Sequence, residues 1–146
     1  MANIFGRSLG HVMQDEGSFY SLSTEYLSAA RILINTPPIT TNYSSVIYYL
    51  LGHAAELSLK SFLYKDGESI KSLMEVGHNL SCLIELAQGK GLNINGLESI
   101  FELSRAYRDK ELEYRKLRNT YFPPQSQLLK DVEELQQAVF SRVAKL

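Results

Sequence analysis

Apolar residues recur along most of this chain at three- and four-residue spacing, the period of a helix with one buried face. Across 18–35 that spacing is kept by Leu22, Tyr26, Ala29, Ala30 and Leu33. Pro37 and Pro38 end the run, because proline lacks the amide hydrogen of the helical ladder and restricts the residue before it. A second helix is expected from Thr41 or Asn42, either of which suits an N-cap, to the turn at Asp66-Gly67. Ile47, Leu50, Leu51, Ala54, Leu57 and Phe62 give it a broad apolar face, and Leu59 and Leu63 lie almost opposite. A helix apolar on two sides is sandwiched between neighbours, so this segment is expected at the centre of the fold.

The stretch 68–77 reads as a short turn of helix within a loop. A third helix is expected over 79–88, with Leu80, Leu83, Ile84 and Ala87 inward and Gly89 and Gly91 closing it. Asn95 and Glu98 have the spacing of a capping box for a fourth helix reaching to about residue 118. Pro123 and Pro124 interrupt the chain, and a last helix over 126–145 lines up Leu128, Val132, Leu135, Val139 and Val143. No strand-like alternation, internal repeat or low-complexity tract interrupts this pattern. The expectation is an all-α, single-domain, up-and-down bundle of four to five helices over 18–146, after an irregular arm over 1–17 that contains Gly6 and Gly10.

Composition narrows the function. With 146 residues, 45% hydrophobic and 21% charged, the chain can bury one continuous core without a metal or a disulfide. A formal net charge of -1 argues against coating nucleic acid by bulk electrostatics. The single cysteine, Cys82, sits among Leu80, Leu83 and Ile84 and is read as an inert core thiol; a reducing compartment fits it. The first twelve residues show no basic segment leading into an apolar run, so no signal peptide is expected. The most apolar stretch, 46–63, carries His53, Glu56 and Lys60, which a membrane span would not. The expected location is the cytoplasm, away from membranes.

Two places carry candidate chemistry. On the second helix, at about 100° per residue, Tyr49, His53, Glu56 and Lys60 project from one strip flanked by apolar residues. Glu56 precedes Lys60 by four, the favourable order for a helical ion pair. The strip is either a solvent-facing seam or a polar pocket between helices, in which a carboxylate orients a base or a cation. The second place is YRDKELEYRKLRNTYF, where Tyr107, Tyr114 and Tyr121 repeat every seven residues beside Arg108, Arg115 and Arg118. From Arg105 to Arg118 six basic residues oppose three acidic ones. Arginine beside tyrosine suits phosphate contact with base stacking, whereas Asp109, Glu111 and Glu113 can neutralise the cations and leave the tyrosines to packing. His53 and Glu56 stand three apart without a second ligand pair, so no metal and no cofactor is expected. No glycine-rich phosphate loop or nucleophile elbow is present. His78, at a helix start after Gly77, is placed either to cap a backbone amide or to reach the bundle interior.

The runs GHAAELSLKSFLYKDG (52–67) and GHNLSCLIELAQGKG (77–91) resemble the higher eukaryotes and prokaryotes nucleotide-binding (HEPN) domain family. The similarity covers 43–86 well and the later helices more loosely. It implies a four- or five-helix bundle that dimerises, and in many members metal-independent RNA cleavage of toxin or defence type. There an arginine, followed by asparagine or another polar residue, precedes a histidine after four to six intervening residues, and a polar residue of the second helix supports the arginine. Arg118-Asn119 and Glu56 are the matching positions. The histidine is missing: counting from Arg118 leads to Pro123, Pro124 and Gln125, and neither Arg115 nor Arg108 supplies it. His11, His53 and His78 all lie earlier in the chain.

The expected function is therefore a non-catalytic HEPN-like module binding RNA, a nucleotide or a partner protein encoded nearby, as a homodimer. Its expected ligand-binding residues are Tyr49, His53, Glu56, Lys60, Arg115, Arg118, Asn119 and Tyr121. One alternative is an endoribonuclease, as in toxin–antitoxin pairs, using Arg118 with His53 or His78; another is a purely structural assembly subunit.

Overall fold

The structure, a computed structural model, describes residues 15–37, 43–95, 97–108 and 122–144. Among them are six helices and no strand: α1 (Glu16–Ile34), α2 (Ser44–Lys65), α3 (Ile70–Val76), α4 (Leu80–Gly89), α5 (Glu98–Arg108) and α6 (Gln125–Val143). The all-helical expectation holds. The count exceeds four to five because 70–76 closes a regular helical segment, capped by the Ser69 hydroxyl on the Ser72 amide, instead of remaining a turn.

Local signals place the ends. Asp15 caps α1 in a reciprocal box with Ser18, so the helix begins at Glu16, two residues inside the stretch read as arm. α2 begins at Ser44 with Tyr43 at its N-cap position and no side-chain bond from it; the expected caps Thr41 and Asn42 lie outside the described residues. Its end falls at Asp66, followed by Gly67 at a φ of 110°, which glycine adopts without steric cost. α5 begins at Glu98, which puts Asn95 too far upstream for the expected capping box; that box would need Glu98 as the third helical residue. The part of the fourth expected helix after Arg108 lies outside the described residues.

α2 is the axis of the molecule. It packs against α1, α3, α4, α5 and α6, and from Leu51 to Leu63 only His53 and Leu57 are not buried. Leu51, Ala54, Ala55, Leu59 and Leu63 are fully enclosed with Leu80, Leu83 and Ile84 of α4, Leu103 of α5, and Leu128, Val132 and Leu135 of α6. Burying one such leucine contributes about 1.5–3 kcal/mol, so these layers dominate the favourable side of folding. At the break of Pro123 and Pro124 the chain is pinned to α2: the Tyr48 hydroxyl donates to the Pro123 carbonyl at 2.5 Å and the Tyr48 ring lies against Phe122. No helix among the described residues is long and apolar enough to cross a membrane.

Two sequence expectations fail here. The buried face of α1 is Phe19, Ser23, Leu27 and Ala30, and Leu22 is exposed. Ser23 can be buried because its hydroxyl donates to the Ala54 carbonyl at 2.9 Å and bonds Ser58 at 2.6 Å, while the Gln136 amide donates to it at 2.7 Å. A hydropathy pattern cannot register such partners. Cys82 is only partly buried, so it is not a core thiol. Leu80, Leu83, Ile84 and Ala87 fill the inner face of α4 without it.

Candidate functional site

The strip on α2 turns inward. Tyr49 and His53 are half-buried, while Glu56 is 4% and Lys60 9% exposed, so the strip is a polar pocket between helices and not a solvent-facing seam. Glu56 is its centre. Its Oε2 accepts from Lys60 Nζ at 2.7 Å. Its Oε1 accepts from the Tyr107 hydroxyl at 2.6 Å and from Nδ1 of His78 at 2.7 Å, with Nδ1 of His53 at 3.7 Å. Four elements supply this group. α2 places His53, Glu56 and Lys60 on successive turns, α5 brings Tyr107, the bend before α4 brings His78, and Tyr26 of α1 covers the His53 ring at 4.8 Å.

Burial pushes the Glu56 carboxyl up, but the His53 contact, the charge and hydrogen bond of Lys60 and the Tyr107 hydroxyl outweigh it and hold the group at about 2. Glu56 is therefore a carboxylate at neutral pH and can only accept hydrogen bonds. Burial, followed by the negative charge of Glu56, pushes the Tyr107 phenol far above its usual range, so it keeps its proton. That proton goes to Glu56, and Tyr107 also bonds Nδ1 of His53. With its single hydrogen committed, the phenol oxygen accepts from His53. Both imidazoles thus carry hydrogen on Nδ1, and when neutral each leaves a free lone pair on Nε2.

The sequence contains a device for this packing. A Cβ on Gly52 would lie 2.5 Å from the Tyr107 ring, so glycine lets that ring rest on the α2 backbone next to Glu56. The His53 and Tyr107 rings then meet edge to face, with centroids 5.3 Å apart and planes at 89°. His78 is the member that reaches water, its side chain 48% exposed.

Of the residues expected to form a site, the structure brings together His53, Glu56, Lys60 and His78, with Tyr49 against the His53 ring at 4.3 Å. Arg115, Arg118, Asn119 and Tyr121 lie outside the described residues, and so does the expected pairing of Glu56 with Arg118. Sequence reasoning passed over Gly52, and read Tyr107 with a tyrosine repeat instead of with Glu56. Of the two places open to His78, the structure shows neither in full: Asn79 takes the cap through the Cys82 amide, and His78 stays half-exposed at the edge of the bundle while its Nδ1 reaches the buried Glu56. No family model, curated protein or solved structure matches the chain.

Proposed function

We propose that the chain is a HEPN-like helical module that binds single-stranded RNA or a nucleotide, as a homodimer, at the edge where His53 and His78 approach the surface. One observation carries the reading: Tyr107, inside the basic stretch that begins at Arg105, is seated on Gly52 and bonded to Glu56 and His53. Tyr107 thus ties the start of the basic stretch to a pair of imidazoles, and arginine charge beside aromatic rings suits phosphate contact with base stacking. The resemblance of 43–86 to HEPN domains supports the same surface.

Titrating a fluorescent single-stranded RNA with the protein tests this. Saturable binding that weakens as salt rises, and weakens further in Arg118→Ala, is expected. No anisotropy change at low salt, with RNA and with labelled ATP alike, would refute it. A dimer by light scattering without any nucleic-acid binding would favour an assembly subunit. A second reading has its own observation, the 2.7 Å bond that orients the half-exposed His78 on a buried carboxylate. On that reading the RNA is cut in EDTA, and His78→Ala abolishes the cut without abolishing binding.

A further inference from the structure

The same cluster holds a donor set that the sequence did not reveal. His53 and Glu56 lack a second ligand pair along the chain, but folding brings His78 from 22 residues away. One donor atom from each of His53, Glu56 and His78 then lies within 4.8 Å of the other two. Around a tetrahedral zinc ion at about 2.0–2.1 Å from its ligands, the donors stand about 3.3 Å apart. The distances of 2.7 Å from His78 and 3.7 Å from His53 to Glu56 Oε1 bracket that separation. Binding an ion there exchanges the hydrogen bonds that Nδ1 of His53 makes to Tyr107 and Nδ1 of His78 makes to Glu56 for bonds to the metal.

We infer that His53, Glu56 and His78 form a zinc site with three protein ligands and a fourth position open toward solvent. Two features around them fit. Lys60 holds Oε2 of Glu56, so the carboxylate presents Oε1 as a single donor, and the Tyr107 hydroxyl supports that oxygen; outer partners of this kind orient metal ligands. His53 and Glu56 sit one turn apart on a rigid, enclosed helix, whereas His78 is half-exposed and leaves a way in. Two nitrogen donors with one oxygen select zinc and its neighbours over magnesium or calcium, which take oxygen ligands.

Entry of the ion requires each imidazole to shift its hydrogen from Nδ1 to Nε2 if Nδ1 is the ligand; both rings stay neutral and no net proton is lost. Since Glu56 and Lys60 cancel, the loaded site carries two uncompensated positive charges. The fourth position is therefore suited to an anionic oxygen, from hydroxide or a phosphate group. This inference does not depend on RNA binding.

Isothermal titration of the tag-free, EDTA-stripped protein with zinc chloride, and visible absorption with cobalt(II), test it. One zinc per chain is expected, together with the intense visible bands of four-coordinate cobalt. Loss of an outer partner alone weakens a metal site about 10–100-fold, so His78→Gln and His53→Gln should each weaken zinc at least that much. His78→Gln changes a half-exposed residue, and an unaltered circular dichroism spectrum shows that it folds. No zinc binding by the wild type, or equal affinity in a folded His78→Gln, would overturn the inference. RNA binding can fail while zinc binds, and the reverse, so the two proposals are judged separately.

Discussion

Two buried polar networks lie on nearly opposite sides of α2, and they differ in charge and in access. Toward α1 and α6, Ser58 joins Ser23, the Ala54 carbonyl and Gln136. Every member is neutral, and Ser23 and Ser58 are completely enclosed. Toward α5 and the bend before α4, Glu56 joins Lys60, Tyr107, His53 and His78, and this group carries charge and opens to water at His78. A closed neutral network satisfies its own groups and fixes how helices pack, which is a structural role. A charged one pays heavily in desolvation, and keeping two imidazoles at its mouth serves no packing purpose that a pair of leucines would not serve better. The contrast is what makes the Glu56 side the candidate site.

The comparison can be broken by measurement. The largest effect is expected for Glu56→Gln, which leaves the buried ammonium of Lys60 without its carboxylate and should cost about 3–5 kcal/mol in urea unfolding. A cost below 1 kcal/mol would make the cluster an incidental surface pairing.

Acid should then sharpen the picture. The folded Glu56 carboxyl is held at about 2, below its ordinary 4.5, so its contribution is complete above pH 4.5 and is lost as pH falls toward 2. In EDTA this carboxyl should contribute about 3 kcal/mol at neutral pH, and the stability gap between wild type and Glu56→Gln should narrow steadily from pH 5 to pH 2. A gap that stays constant over that window would show that Glu56 titrates normally.

The smallest effect belongs to the neutral network. Ser23→Ala removes a hydroxyl bonded to Ser58, Ala54 and Gln136 and should cost about 1–2 kcal/mol, with no dependence on pH between 5 and 2 beyond that of the wild type. A larger loss than that of Glu56→Gln would reverse the ranking of the two sides.

How much of this was legible depended on the kind of signal. The last helix was readable because Leu128, Val132, Leu135 and Val139 repeat at helical period and all are buried. α1 was readable as a helix but not in its orientation, since Ser23 takes a core position that only its partners permit. The same limit applied to the site. Tyr49, His53, Glu56 and Lys60 share one strip by helical geometry alone, so the sequence could group them. Whether that strip met water or protein was outside its reach.

By itself, then, the sequence determined the helical class, the central place of α2 and the alignment of four polar side chains along it, because these follow from period and local chemistry. Tertiary structure alone decided that Tyr107 would settle on Gly52 and that His78 would turn in to Glu56. Those contacts join residues 55 and 22 positions apart in sequence. No local preference encodes such distances; they arise when the apolar faces of several helices are buried at once and the remaining polar groups must find partners inside.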